Sequence, residues 1–224
     1  MRYPEIDFAR GIAVILMLIF HSFFDAYYFG KIELSGAFWY YFPRFIGGMF
    51  IFISGLTMAV ARPKPNRVLR KAFKLSALAL LITAVTYYFV PNEFVVFRIL
   101  HFFALSTLLG YIFLNYTKLH LPIGIAAFLL GVYFHSINVS SANLVWMGLM
   151  PYGFRTLDYY PLLPWFGIFL FGMHFGSKFR GTKHSFFENP VAILGKKSLE
   201  IYLIQHPVII LVLQLIYGDI FQQI

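Results

Sequence analysis

Seven ionisable residues stand inside or beside strongly apolar runs: His21, Asp25, Arg44, Arg98, His101, Asp158 and His206. An imidazole near a carboxylate does acid–base chemistry close to neutral pH. The same imidazole can attack an activated acyl group directly, and a guanidinium stabilises the oxyanion that either route develops. Spacing adds to residue type. Arg10 and His21 are eleven positions apart, and eleven steps of about 100° make three turns plus ~20°, which puts both on one helix face about 16 Å apart along the axis. Asp25 lies four residues beyond His21, one turn further on that face. A carboxylate there can take the imidazole proton, fix its tautomer and raise its basicity.

The elements that must hold these groups are membrane helices. The chain of 224 residues is 60% hydrophobic and 12% charged, with a mean hydropathy of +0.74, whereas soluble domains are about half apolar and a quarter charged. A soluble chain of this size has too small a core to bury that much apolar surface, and the apolar residues fall into long runs as spans do. The expected fold is all-α, a polytopic helix bundle forming one domain over residues 1–224. About seven spans are expected: Phe8–Phe29, Phe38–Val60, Ala72–Val90, Ile99–Tyr116, Leu121–Asn138, Pro161–Lys178 and Leu199–Tyr217. The first reads as a retained helix, because its apolar run is too long for a leader and lacks a cleavage site. Fourteen of the eighteen Lys and Arg fall on one side if the N-terminus is cytoplasmic and the C-terminus outside, as the positive-inside rule requires. The connection Val139–Tyr160 is then outside, with Leu144–Met150 interfacial or re-entrant. Gly47, Gly48, Ser54 and Gly55 would let another backbone come close to the second span.

Several functions are excluded or disfavoured. The chain has no cysteine, so disulfides, thiolate metal sites and cysteine nucleophiles are impossible. No H-E-x-x-H or H-x-x-E-H spacing occurs, and no metal is expected. The net charge of +9 follows membrane topology, so nucleic acid is not an expected partner. Polar groups at membrane depth are costly and mark function. Here they concentrate in the outer half, where they could line a polar chamber. Two activities fit such a chamber: acyl transfer, or a small proton-coupled transporter or channel relaying protons through His21, Asp25, His101 and His206. His120, His135, His174 and His184 fall at loop edges or inner faces and receive no role.

The stretch EIDFARGIAVILMLIFH, with ten residues between Arg10 and His21, resembles the first-helix signature of the membrane acyltransferase-3 family. The segments FIGGMFIFISG, FRILHFFALSTLLGY, DYYPLLPWFGIFLFGMHFG and LGKKSLEIYLIQHPV resemble more closely the related heparan-alpha-glucosaminide N-acetyltransferase catalytic-domain family. That resemblance implies transfer of an acyl group, acetyl above all, from cytoplasmic acyl-CoA to a hydroxyl or amine of a sugar-like acceptor outside. By that resemblance Arg10 and His21 would handle the donor while Arg98, His101, Asp158 and His206 line the site; with the spacing of Asp25, the expected catalytic residues are His21, Asp25, Arg98 and His101. Arg10 with Arg62, Lys64, Arg67, Arg70 and Lys71 would receive acetyl-CoA or another acyl-CoA, and Arg44, Asp158, Gln205 and His206 the acceptor. Lysosomal members of the family carry a histidine after the first helix. Gly30–Ala37 here has none, which leaves His21 as the expected reactive imidazole. The partners expected are membrane lipids, acyl-CoA and the acceptor, with a homodimer left open, and the expected location is a prokaryotic plasma membrane.

Overall fold

The structure, a computed structural model, describes residues 3–89, 97–154, 156, 159–181, 187 and 189–220. Its helices are α1 (Pro4–Tyr28), α2 (Ala37–Ala61), α3 (Pro65–Phe89), α4 (Ile99–Phe113), α5 (His120–His135), α6 (Leu162–Lys178), α7 (Pro190–Lys196) and α8 (Ser198–Tyr217). The described chain is nearly all helical, and each expected span overlaps one of these helices. Among the described residues, four helical segments are long and apolar enough to cross a membrane: Pro4–Tyr28, Ala37–Ala61, Thr117–His135 and Ser198–Tyr217. The helix Ile99–Phe113 is apolar but shorter. Large apolar side chains such as Phe73, Leu80, Leu215 and Ile216 stand exposed, where a soluble helix would present polar groups.

Local chemistry explains the helix ends. Pro4 occupies the first turn of α1 with Glu5 and Asp7 beside it, where a missing N–H costs nothing and negative charge suits the helix dipole. At the other end, Gly30 has a φ of +67°. Its N–H reaches the Tyr27 carbonyl at 2.9 Å while the Lys31 N–H reaches the Ala26 carbonyl at 2.9 Å, a Schellman closure that a left-handed glycine permits. Asn189 caps α7 by accepting from the Ala192 N–H at 3.2 Å. The piece expected to be interfacial or re-entrant lies in a 3-10 helix, Ala142–Met147, and the strand after it; two short parallel strands, Asn138–Val139 and Met150–Pro151, flank that helix.

The chain forms two compact units, one of Met1–Phe50 with Arg180–Ile224, the other of Ile51–Phe179. In the first, α1 runs against α7 so closely that no side chain fits at the crossing. A Cβ on Gly11 would fall 1.9 Å from the Val191 carbonyl oxygen, and one on Gly195 would fall 1.8 Å from that of Asp7. In the second, α2 and α6 meet in the same way: a Cβ on Gly55 would lie 2.0 Å from the Phe169 oxygen, and one on Gly172 would lie 2.1 Å from that of Phe52. This is the backbone approach that small residues allow between membrane helices, as expected for Gly55.

Candidate active site

In the first unit, α1 and α8 are held in register by two apolar layers. One joins Val14, Met17 and Ile46 with Ile201 and Tyr202; the other joins Ala26, Phe29, Leu213 and Ile220 with Ile209 and Ile210. Between Met17 and Ala26 on α1 come His21 and Asp25. Between Tyr202 and Ile209 on α8 come Gln205 and His206. Polar side chains thus occupy one level of the helix pair, with apolar packing above and below.

At that level the Asp25 carboxylate accepts from Nδ1 of His206, at 2.9 Å to Oδ2 and 3.1 Å to Oδ1. Asp25 is 5% exposed, while the His206 side chain keeps 32% of its surface open. The ring centroids of His21 and His206 are 4.6 Å apart with 53° between planes. A carboxylate at Nδ1 holds the proton there, so the neutral imidazole turns its Nε2 lone pair outward as base or nucleophile. Helical spacing offers Asp25 to His21; its partner across the helix pair is His206, which the sequence reading had placed on the acceptor side. Gln205, next to it, is 2% exposed.

The other expected site residues are distributed as follows. Arg10 donates to the Asp7 carboxylate at 3.1 Å, one turn earlier on α1, and Asp7 is itself buried. Arg44 is exposed on α2; its guanidinium donates to the Tyr40 carbonyl at 2.5 Å and lies 3.6 Å from the centre of the Tyr40 ring, a cation–π contact within one helix. In the second unit, Nδ1 of His101 accepts from the Arg98 backbone N–H at 3.2 Å, and Nε2 lies 3.4 Å from Thr83 Oγ1 on α3. His101 therefore caps the start of α4 and ties it to α3. Arg62 donates to Asn115 Oδ1 at 2.8 Å. Arg62, Lys64, Arg67, Arg70 and Lys71 are all exposed, on a turn and helix start whose first turn has no acidic residue. Asp158 lies outside the described residues. Among the described residues no three His, Cys, Asp or Glu side chains come together as a metal site.

Two structural residues escaped the sequence reading. His120 is fully buried and its Nε2 donates to the Phe113 carbonyl at 2.8 Å, covering the end of α4. Tyr159 donates its hydroxyl to the Val145 carbonyl at 2.6 Å, and burial pushes its phenol above the usual tyrosine range. With the Tyr160 N–H on the Phe97 carbonyl at 3.0 Å, it anchors the long connection at the entry of α4. Neither residue type at its position carries a sequence signal that would separate it from ordinary loop polarity.

Apolar helices that carry a buried carboxylate paired with an imidazole define a class: a helical membrane protein with a group able to transfer protons. The model of the heparan-alpha-glucosaminide N-acetyltransferase catalytic family matches residues 2–207. The chain belongs to that family, and acetyl transfer is the activity the family brings. No curated protein matches the chain, and no solved structure does.

Proposed function

We propose that this protein moves an acetyl group from cytoplasmic acetyl-CoA to a hydroxyl or amine of a sugar-like acceptor on the outer side of a prokaryotic plasma membrane. The single observation that carries the proposal is the Asp25–His206 pair with His21 against it, lying within the family-matched region. In direct transfer, Nε2 of His206 removes the acceptor proton as the acceptor oxygen or nitrogen attacks the thioester carbonyl. The carbon–sulfur bond then breaks, and the thiolate leaves as CoA after taking that proton. Asp25 holds the ring throughout and balances the transient imidazolium. In a two-step route a His21 ring nitrogen attacks the thioester carbonyl, the carbon–sulfur bond breaks and the CoA thiolate leaves with the ring's other proton. The acceptor then attacks the acyl-imidazole and its proton returns to His21 as the carbon–nitrogen bond breaks, His21 being the imidazole against His206. His206 takes the base role first assigned to His21 because the observed carboxylate contact is its own.

Seven spans, the N-terminus inside and the C-terminus outside remain part of this proposal, supported by the helices at every expected span and by the distribution of basic residues. Arg10 and the exposed basic run Arg62–Lys74 suit a polyanion such as CoA on charge grounds. The roles of Arg98, His101, Arg44 and Asp158 rest on the sequence grouping. The family match favours acyl transfer over the proton-coupled transporter reading.

The test is a thermal titration of the detergent-purified protein, since a ligand bound only by the folded state raises the melting temperature in proportion to the logarithm of its concentration beyond Kd. Acetyl-CoA and CoA should give saturable shifts. No shift up to millimolar ligand, in a protein that melts cooperatively, would remove the CoA donor.

A further inference from the structure

Gln205 is a buried group with nothing to bind. It is 2% exposed, and neither its carboxamide oxygen nor its nitrogen has a hydrogen-bond partner among the described residues. Buried amides are nearly always paired, because leaving one unpaired forfeits the hydrogen bonds it made to water. A leucine would fill the place without that cost.

Its position is the buried face of the helix, where its neighbours are apolar. On α8 the side chains at Ile201, Gln205 and Ile209 follow at intervals of four, one above another on the helix surface. Ile201 packs into the apolar layer around Val14 and Met17, and Ile209 into the layer around Ala26 and Phe29. Gln205 sits between them at the level of His21, Asp25 and His206. The Asp25 carboxylate is engaged by His206. Beside the two imidazoles, this level therefore offers a buried carboxamide, one carbonyl acceptor and one NH₂ donor.

A carboxamide can donate from its NH₂ to one carbonyl and accept at its oxygen from one N–H, and a flexible arm with two secondary amides a few bonds apart offers one of each. Resting on the acetyltransferase reading above, we infer that Gln205 holds an amide of the pantetheine arm of CoA and so sets the thioester beside His206. The amides of that arm lie within a few bonds of the sulfur. A helix position one residue from His206 is placed to fix the distance from amide to reacting carbonyl. Gln205 is then a positioning and donor-selecting residue, and its unmade hydrogen bonds are completed only in the complex.

The test compares wild type with Gln205→Leu and Gln205→Met in binding CoA, pantetheine and adenosine 3′,5′-bisphosphate, each followed by thermal shift and by isothermal calorimetry in detergent. CoA contains both the arm and the nucleotide; the other two contain one each. Gln205→Leu and Gln205→Met should bind CoA and pantetheine about tenfold to a hundredfold more weakly, the loss of one to two good hydrogen bonds. Binding of the bisphosphate should stay unchanged. Both variants should melt at or above the wild-type temperature without ligand, the opposite of what removal of a structural amide would do. Unchanged CoA affinity in both variants overturns the inference, as does an equal loss for the bisphosphate. If wild type itself fails to bind CoA, the donor reading falls and the inference with it; if wild type binds and the variants bind equally, only the inference falls.

Discussion

Replacing Asp25 by Asn is the sharpest perturbation of the pair. Asparagine is nearly isosteric with aspartate, so the apolar layers above and below should not move. Its chemistry differs in two ways. The amide has no charge to stabilise an imidazolium, and its NH₂ is a donor that faces His206 Nδ1 at the 2.9–3.1 Å now spanned by the carboxylate oxygens. Where that donor is directed at Nδ1, the imidazole carries its proton on Nε2 and loses the lone pair that acts as base. The same wrong-tautomer change in a serine protease triad lowers kcat by ~10⁴, and His206 should respond on the order of 10³ to 10⁴. The KM for acetyl-CoA should change by no more than about twofold, because Asp25 holds His206 and not the donor. Loss of the buried charge-assisted hydrogen bond should cost about 1.5–3 kcal/mol of stability, visible as a lower melting temperature. The chain has no cysteine, so CoA released from acetyl-CoA can be read with a thiol reagent without background, using a panel of amino and hydroxyl sugars as acceptors. Turnover within tenfold of wild type, in an Asp25→Asn protein that melts cooperatively, would refute the argument.

Other expectations follow from the same structure. Gly195→Ala puts a methyl where the Asp7 carbonyl oxygen would be 1.8 Å away; α1 and α7 must separate, at a cost of about 1–3 kcal/mol or more, seen in thermal unfolding in detergent. Tyr159→Phe removes the hydroxyl bonded to the Val145 carbonyl and should cost about 0.5–1.5 kcal/mol. Because burial raises the folded-state phenol above its ordinary value, the folded chain binds that proton more tightly than the unfolded one. The wild type should therefore lose stability as pH rises beyond about 10, the ordinary tyrosine value, and the Phe variant should lose less over that range in alkaline melts. Charge reversal of Arg67, Arg70 and Lys71 together should weaken acetyl-CoA binding, and the difference from wild type should shrink between 50 and 500 mM salt as screening rises. A salt-independent loss would argue for misfolding instead.

Hydropathy made the helices legible because each apolar run is long relative to a turn. It was weakest where charge and length mislead. The third helix was expected to begin at Ala72, since the basic residues before it read as a loop, yet it begins at Pro65. Arginine, lysine and leucine are good helix formers, and proline fits a first turn. Helix α7 has seven residues, too few for a periodic signal, and its close packing against α1 at Gly11 and Gly195 is tertiary information. At the site, spacing arguments reach only neighbours on one helix, so they gave Asp25 to His21. The Asp25–His206 contact joins residues 181 positions apart, which only the packing of α1 on α8 could reveal. Arg44 is a second contact that residue type does not reveal: its guanidinium lies back on Tyr40 of its own helix.

The most direct test of the account is acetyl-CoA turnover by His206→Ala, with His21→Ala alongside, in protein reconstituted into lipid vesicles. The account predicts that His206→Ala still binds acetyl-CoA with near wild-type affinity and releases CoA at least a thousandfold more slowly. Turnover by His206→Ala within tenfold of wild type, with His21→Ala either active or not, would contradict the claim that the Asp25-held imidazole is the reacting base.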